Sequence, residues 1–260
     1  MEQRKEDKKA RAVILAAGRG KRMGSLTGQW PKCFTEVKHT SLIRWVTEAL
    51  RGAGIVDIAL VRGYRSEAFT DTSLTYFDNV HWETTNMVAS LLAADTWLSE
   101  GPCVITYSDI AYPIETVTKL LHATGEIIIP YNTAWLDLWN KRFANPLSDA
   151  ETFKVDERGV LLEIGKRADS IADIEGQYMG LIKCTPEGWE KIKSFIHTSD
   201  AGEMSTLDMT SLLQRVLYAG VRIDTFPVNG AWLEMDSESD LALYEDLAQS
   251  STYLDWLADG

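Results

Sequence analysis

VILAAGRGKRMG, residues 13–24, is an apolar run that breaks into a glycine-rich turn carrying Arg19, Lys21 and Arg22. The run predicts a buried strand. Gly18 and Gly20 let the chain turn sharply there, with backbone N–H groups free to face an anion. Leu15, Ala16 and Ala17 form the wall beside the turn, and the two alanines leave room for something flat close to the main chain. Arg19 and Arg22 then stand where the oxygens of a bound phosphate would lie. The chain as a whole has a formal net charge of −12, so this concentration of cations belongs to the turn and not to the composition.

Two widespread phosphate loops fail to match. A Walker A loop requires a glycine where Leu15 stands and a Ser or Thr where Arg22 stands. The dinucleotide fingerprint requires its third glycine at position 23, which is Met23; Gly24 falls one residue late. The turn is therefore a third kind of loop, or an ordinary strand-to-helix connection with solvated basic residues.

Outward from this turn, strand and helix patterns alternate as far as residue 131. SLIRWVTEALRGAG predicts an amphipathic helix closed by glycine, and IVDIALVRG a second strand. Residues 86–100 read as helical, PCVITYSDI as a buried strand, IETVTKLLHAT as a helix and EIIIPYN as a fourth strand. That alternation predicts a Rossmann-like α/β fold, a mainly parallel sheet flanked by helices. Beyond it, ETFKVDERGVLLEIGKR reads as a hairpin turning at Glu157-Arg158-Gly159. QYMGLIKCT is a strand, PEGWEKIKSFIH a helix begun by proline, and DMTSLLQRVLYAG another helix. VRIDTFPV and WLEMDSESDLALYEDL supply a strand and a strand-to-helix segment. These added strands are expected to cover an acceptor site. The expected layout is one domain over residues 11–260, with a nucleotide-binding half to about 130 and an acceptor-binding half after it. Residues 1–10 are expected to be a flexible charged tail.

Composition excludes several classes. A sequence pI near 4.8 argues against a nucleic-acid surface, which favours a basic face. Three widely spaced cysteines, Cys33, Cys103 and Cys184, form neither a disulfide framework nor a zinc motif, as expected of a cytoplasmic protein. No apolar run approaches the roughly 20 residues that span a bilayer. His39, His81, His122 and His197 are scattered, and none forms a ligand pair.

Three further positions carry chemistry. Lys32, made rigid by Pro31, follows the turn by a short loop and could be aimed back at the α-phosphate of a nucleotide. Ser108 and Asp109 end the apolar strand CVIT, and ligands of open α/β sheets bind beyond the carboxyl ends of strands. Asp236 ends a second apolar segment, AWLEMD. Two carboxylates at strand ends suffice for Mg²⁺, which keeps waters and takes further ligands from substrate phosphates. A strand-end Asp can equally be a helix cap.

LAAGRGKRMG, PKCF, the strand-end Ser108-Asp109 and WLEMD together resemble the nucleotidyltransferases that activate sugar phosphates and related small phosphates, over nearly the whole chain and in matching order. The resemblance implies transfer of a nucleotidyl group from an NTP to a phosphate with release of pyrophosphate. It also implies Mg²⁺ on Asp109 and Asp236, with Lys32, Arg19 and Arg22 stabilising charge in the transition state. HWETTNMVASLLAADTWL resembles the cytidylyltransferases that activate phosphocholine and aminoethylphosphonate more than the sugar nucleotidyltransferases, so the resemblance implies CTP as the donor. Asn86 and Ser90, one helical turn apart, are candidates for the base edge, although Asn86 can also be an N-cap.

For the acceptor, Trp135 and Trp139 lie four apart on one helical face, with Tyr131, Tyr178 and Trp232 as further candidate rings. Aromatic faces attract a quaternary ammonium by about 0.5–2 kcal/mol each, but tryptophans at helical spacing more often fill a core. Asp137, Asp149 and Glu151 are carboxylates that could hold an amino group instead. Arg142 and Lys166 are candidates for the acceptor's phosphate or phosphonate. The expected acceptors are phosphocholine, 2-aminoethylphosphonate, hydroxyethylphosphonate or a similar molecule, and a homodimer is possible. A sugar 1-phosphate transferase and a catalytically silent nucleotide sensor are the other readings.

Overall fold

The computed structural model describes residues 9–257, so most of the charged N-terminal stretch lies outside the described residues. Strand β1 (Arg11–Ala16) is central. It pairs in parallel with β2 (Ile58–Arg62) on one side, and β2 pairs in parallel with the edge strand β3 (Thr75–Asp78). On its other side β1 pairs in parallel with β4 (Cys103–Tyr107). Beyond it comes β5 (Ile127–Asn132), separated from β4 by an antiparallel strand close to the C-terminal half.

The chain then leaves the sheet to form a separate hairpin, β6 (Glu151–Val155) and β7 (Leu161–Arg167), whose turn falls at Asp156–Gly159 as the sequence predicts. QYMGLIKCT returns to the sheet in two pieces, β8 (Gln177–Tyr178) and β9 (Leu181–Cys184). Gly180 takes a left-handed φ of 75°, and this breaks the expected single strand. A side chain at Gly180 would also strike the Tyr107 ring, 2.8 Å from its Cβ. β9 runs antiparallel between β4 and β5, and β10 (Asp224–Val228) runs parallel along the other edge of β5. The α/β expectation of a mainly parallel sheet is met, with two antiparallel strands, β8 beside β5 and β9 between β4 and β5.

Both faces of the sheet are covered, which is why β1 reads as continuously apolar. Ala12, Ile14 and Ala16 point into a core packed by α1 (Leu42–Gly52), α4 (Ile114–His122), α5 (Trp135–Arg142) and α9 (Glu238–Ser250). Val13, Leu15 and Ala17 point into the opposite core. That core is packed by α2 (Met87–Ala93), α3 (Asp95–Glu100), α6 (Pro186–Thr198), α7 (Ala201–Thr206) and α8 (Met209–Tyr218), and β6 and β7 add Phe153, Leu161 and Ile164. All three cysteines are free and buried. Among the described residues no helix is long and apolar enough to cross a membrane.

Candidate functional site

The ends of β1 and β4 lie side by side, because the parallel register sets Leu15 opposite Tyr107. Ala17 and Gly18 therefore leave the sheet at the same edge as Ser108 and Asp109. Gly20 adopts a left-handed φ of 69°, and a Cβ there would lie 2.8 Å from the Lys32 side chain. Glycine is thus required twice, for the backbone angle and to let the lysine stem lie on the turn.

Asp236 arrives from the far end of the chain. A two-residue strand, Leu233–Glu234, pairs antiparallel with Ile110–Ala111, and Met235 N–H donates to the Asp109 carbonyl at 2.9 Å. Lys32 Nζ then bridges the two carboxylates, 2.8 Å from Asp109 Oδ2 and 2.9 Å from Asp236 Oδ1. Burial opposes the charge on Lys32, but Asp109 and Asp236 more than offset it and hold the ammonium well above the ordinary lysine value. Burial likewise opposes ionisation of Asp236, but Lys32, Arg22 and Arg142 outweigh it and hold its pKa low. Arg22, exposed on the turn, donates to the same Asp236 Oδ1 at 2.9 Å.

Two cavities meet at this bridge. The first, about 180 Å³, is lined by Leu15, Ala16, Ala17, Gly18, Gly20 and Lys32 at a basic end. At its other end lie Asn79, Trp82, Thr85, Asn86 and Ser90, with Ser108 and Asp109 between. The second, about 290 Å³, shares Met87 and Tyr107 with the first. Its lining carries the carboxylates Asp149, Glu151, Asp208, Glu234 and Asp236, with Arg22 and Trp139 at its wall. Burial, and then repulsion from Asp208 and Asp149, push Glu151 up to about 7. Burial also raises Asp149.

The expected nucleotide contacts other than Arg19 line the first cavity. Arg19 is exposed and lies 5.7 Å from the Tyr64 ring centroid, outside the lining. Asn86 does cap α2, its side chain accepting from Met87 N–H at 2.9 Å, while its amide donates to the Thr206 carbonyl at 3.2 Å.

The acceptor residues are brought together only in part. Tyr178 lines the second cavity, and no hydrogen bond of ordinary geometry satisfies its buried hydroxyl among the described residues. Trp139 also reaches that cavity, donating to Asp149 at 3.2 Å. The other expected cage rings do not: Tyr131 packs on Phe153 with centroids 4.9 Å apart, and Trp135 and Trp232 are core residues against Trp139. Asp137 is exposed on α5, away from the cavity lining. Lys166 lies outside it too, paired with Glu163 at 2.8 Å because β7 turns that side chain toward solvent.

Arg142 corrects the sequence expectation most clearly. Its side chain is 0% exposed, and it is held by Asp240 at 2.8 Å and by Glu234 and Asp236 at 3.2 Å each. Burial disfavours its charge, but these carboxylates more than compensate. With its donors committed, it braces Asp236 from behind instead of facing a ligand.

Sequence reasoning missed Asn79, Trp82, Thr85, Tyr107, Asp208 and Glu234. A signal existed for Glu234, since a period of two sets it on the same strand face as Asp236. Asp208 reads locally as a helix cap, which it is, accepting from Ser211 N–H at 2.7 Å.

The family model of the MobA-like NTP transferase domain matches residues 12–162. The CTP:phosphoglutamine cytidylyltransferase of Campylobacter jejuni is 35% identical over 246 residues, 88% of this chain and 97% of its own length. The 2-aminoethylphosphonate cytidylyltransferase of Lancefieldella rimae is 29% identical over 61% of each chain. Among solved structures, the CTP:phosphocholine cytidylyltransferase of Streptococcus pneumoniae superposes with a TM-score of 0.72 at 19% identity, covering 92% of this chain and 99% of its own, a likeness of fold.

Proposed function

The chain belongs to the MobA-like NTP transferase family, and on that premise we propose that it transfers CMP from CTP to a small acceptor bearing a phosphate or phosphonate, releasing pyrophosphate. The observation that carries the reading is the junction of the two cavities. One offers a glycine turn and Lys32, the other a carboxylate-rich wall, and Lys32, Asp109 and Asp236 stand between them.

In this reading the triphosphate lies along Gly18, Gly20 and Lys32, with Arg22 at the mouth. An acceptor oxygen forms a bond to the α-phosphorus while the bond to the β-phosphate oxygen breaks, and the electron pair leaves with pyrophosphate. No protein nucleophile is needed, so positioning and charge neutralisation supply the rate. Lys32 is charged at every working pH, because Asp109 and Asp236 hold its proton.

Mg²⁺ is the cofactor this reading requires, and Asp109 and Asp236 would hold it. Each turns an oxygen to one cation, the Lys32 ammonium, at 2.8 and 2.9 Å, so the two carboxylates lie near enough to share an ion. A two-carboxylate set completed by water and phosphate suits that ion's preference for oxygen ligands. Bound there, it would supply charge neutralisation to the phosphates.

The second cavity favours an acceptor with a cationic end. Asp149, Glu151 and Asp208 line it, and none forms an ion pair among the described residues. An ammonium or quaternary ammonium would offset the burial and the repulsion that together lift Glu151, and Trp139 offers a ring face. Amine-bearing phosphates, phosphonates and phosphorylated amino-acid amides fit this description. Hexose 1-phosphates, neutral apart from the phosphate, do not exploit it.

The test is pyrophosphate release with the four NTPs against phosphocholine, aminoethyl- and hydroxyethylphosphonate, a phosphorylated amino-acid amide and hexose 1-phosphates. Release with CTP and an amine-bearing acceptor is expected. Release confined to hexose 1-phosphates would overturn the acceptor assignment, and nucleotide binding without release under any acceptor would leave only a sensor.

A further inference from the structure

At the neutral end of the first cavity, hydrogen-bond directions are fixed by a short chain of side chains. Asn79 follows β3 and is buried. The backbone N–H of His81 donates to its Oδ1 at 3.1 Å, and because a backbone N–H can only donate, this settles which end of the amide is oxygen. Nδ2 then donates twice, to Thr85 Oγ1 and to Ser90 Oγ, each at 3.0 Å. Thr85 passes its own hydrogen to the His81 carbonyl at 2.8 Å, so it has no donor left. Ser90 differs. It accepts from Asn79, yet its hydroxyl hydrogen meets no acceptor among the described residues, and it lines the cavity.

We propose that Asn79 fixes Ser90 as a hydrogen-bond donor toward the nucleobase, so that the cavity selects a base with a lone pair at ring N3 over one carrying a hydrogen there. The inference rests on the cytidylyl reading above. The charged end of the cavity takes the phosphates, which leaves the neutral end, walled by Trp82 and Ser90, for the base. Cytosine offers an acceptor at N3, whereas uracil places an N–H there, and two donors would then face each other in a buried site. Sites built to hydrogen-bond a ligand reject mispaired analogues strongly, because their polar groups are left unsatisfied. Asn79 is a positioning residue in this scheme; of the two, Ser90 is the one that donates to the base.

Calorimetric titration of the full chain with CTP and with UTP tests this in three proteins: wild type, Asn79→Asp and Ser90→Ala. A carboxylate at position 79 can only accept, so it captures the Ser90 hydrogen and offers the base a lone pair instead. Wild type is expected to favour CTP, and Asn79→Asp to lower the CTP-over-UTP ratio at least tenfold. Ser90→Ala should weaken CTP about tenfold and tighten UTP, whose opposed donor it removes. A merely structural role for Asn79 would weaken both nucleotides alike, since sugar and triphosphate are shared. If circular dichroism shows Asn79→Asp unfolded, Ser90→Ala decides alone. A wild-type preference for CTP that persists unchanged in Ser90→Ala, or in folded Asn79→Asp, overturns this inference and leaves the cytidylyl reading standing. Wild type binding neither nucleotide overturns both.

Discussion

Replacing Arg142 by Met removes a charge that three carboxylates share while keeping a side chain of similar reach. The guanidinium is 0% exposed and bonds Asp240 at 2.8 and 3.2 Å, Asp236 at 3.2 Å and Glu234 at 3.2 Å. Methionine can still pack on Trp139 and Phe143, whose ring centroids lie 5.1 and 5.0 Å from the guanidinium carbon, so the loss is mainly electrostatic. Breaking a buried ion-pair cluster by removing one partner typically costs about 3–5 kcal/mol. At about 2–4 °C per kcal/mol for a chain of this size, the melting temperature should fall by roughly 6–20 °C.

The pH dependence has a definite sign. Burial opposes ionisation of Asp240, but Arg142 and neighbouring N–H groups outweigh it and hold its folded pKa below the ordinary value. A carboxylate depressed in this way stabilises the fold at neutral pH, and that contribution is lost as pH falls through the folded pKa. In Arg142→Met the arginine's share is absent and only the N–H groups, Lys32 and Arg22 still oppose burial, so the carboxylates rise relative to wild type and take up protons at a higher pH. The deficit against wild type, read from denaturant midpoints, should therefore be largest near pH 8 and narrow toward pH 5. A loss below about 1 kcal/mol, or one identical at both pH values, would refute the assignment of Arg142 as the brace of this cluster.

Asp109→Ala should reduce pyrophosphate release at least a hundredfold, the scale of removing one electrostatic stabiliser, while thermal melting shows a retained fold; substantial residual turnover would sink the metal role. Gly20→Ala imposes a side chain at φ 69° and pushes against Lys32, so it should cost about 1–2 kcal/mol and lower turnover further than that loss explains; unchanged kinetics would show that the lysine stem does not depend on the turn. Burial, Asp208 and Asp149 raise Glu151 to about 7 in the fold, so its ionisation is destabilising and stability falls as pH rises from its unfolded value toward 7. Glu151→Gln should accordingly stabilise the protein at pH 8 by on the order of 1–3 kcal/mol and have little effect at pH 4; equal melting shifts at the two pH values would contradict this.

The sheet was legible because its signals are local. β1 is apolar from Ala12 to Ala16, since both faces are covered, and the helices α1, α4 and α6 carry their own stripes and terminators. The edge strand Thr75–Asp78 was not legible: it is half exposed, with little apolar pattern to announce it. Asn79, which follows it, was missed for the same reason. The acceptor cavity was the least legible part. Trp135 and Trp139 are equivalent by helical spacing, yet only Trp139 borders the cavity, because the helix packs Trp135 inward. Arg142 looked available in the sequence, and three carboxylates from residues 234–240 occupy it in the fold.

The sequence by itself determined the glycine turn, the parallel core and the strand-end carboxylates, because each follows from backbone freedom or burial within a few residues. Tertiary structure alone decided that Asp109 and Asp236, 127 positions apart, would share one lysine. That juxtaposition depends on the short pairing of Leu233–Glu234 with Ile110–Ala111. Its stability comes from packing between distant segments, which no local pattern encodes.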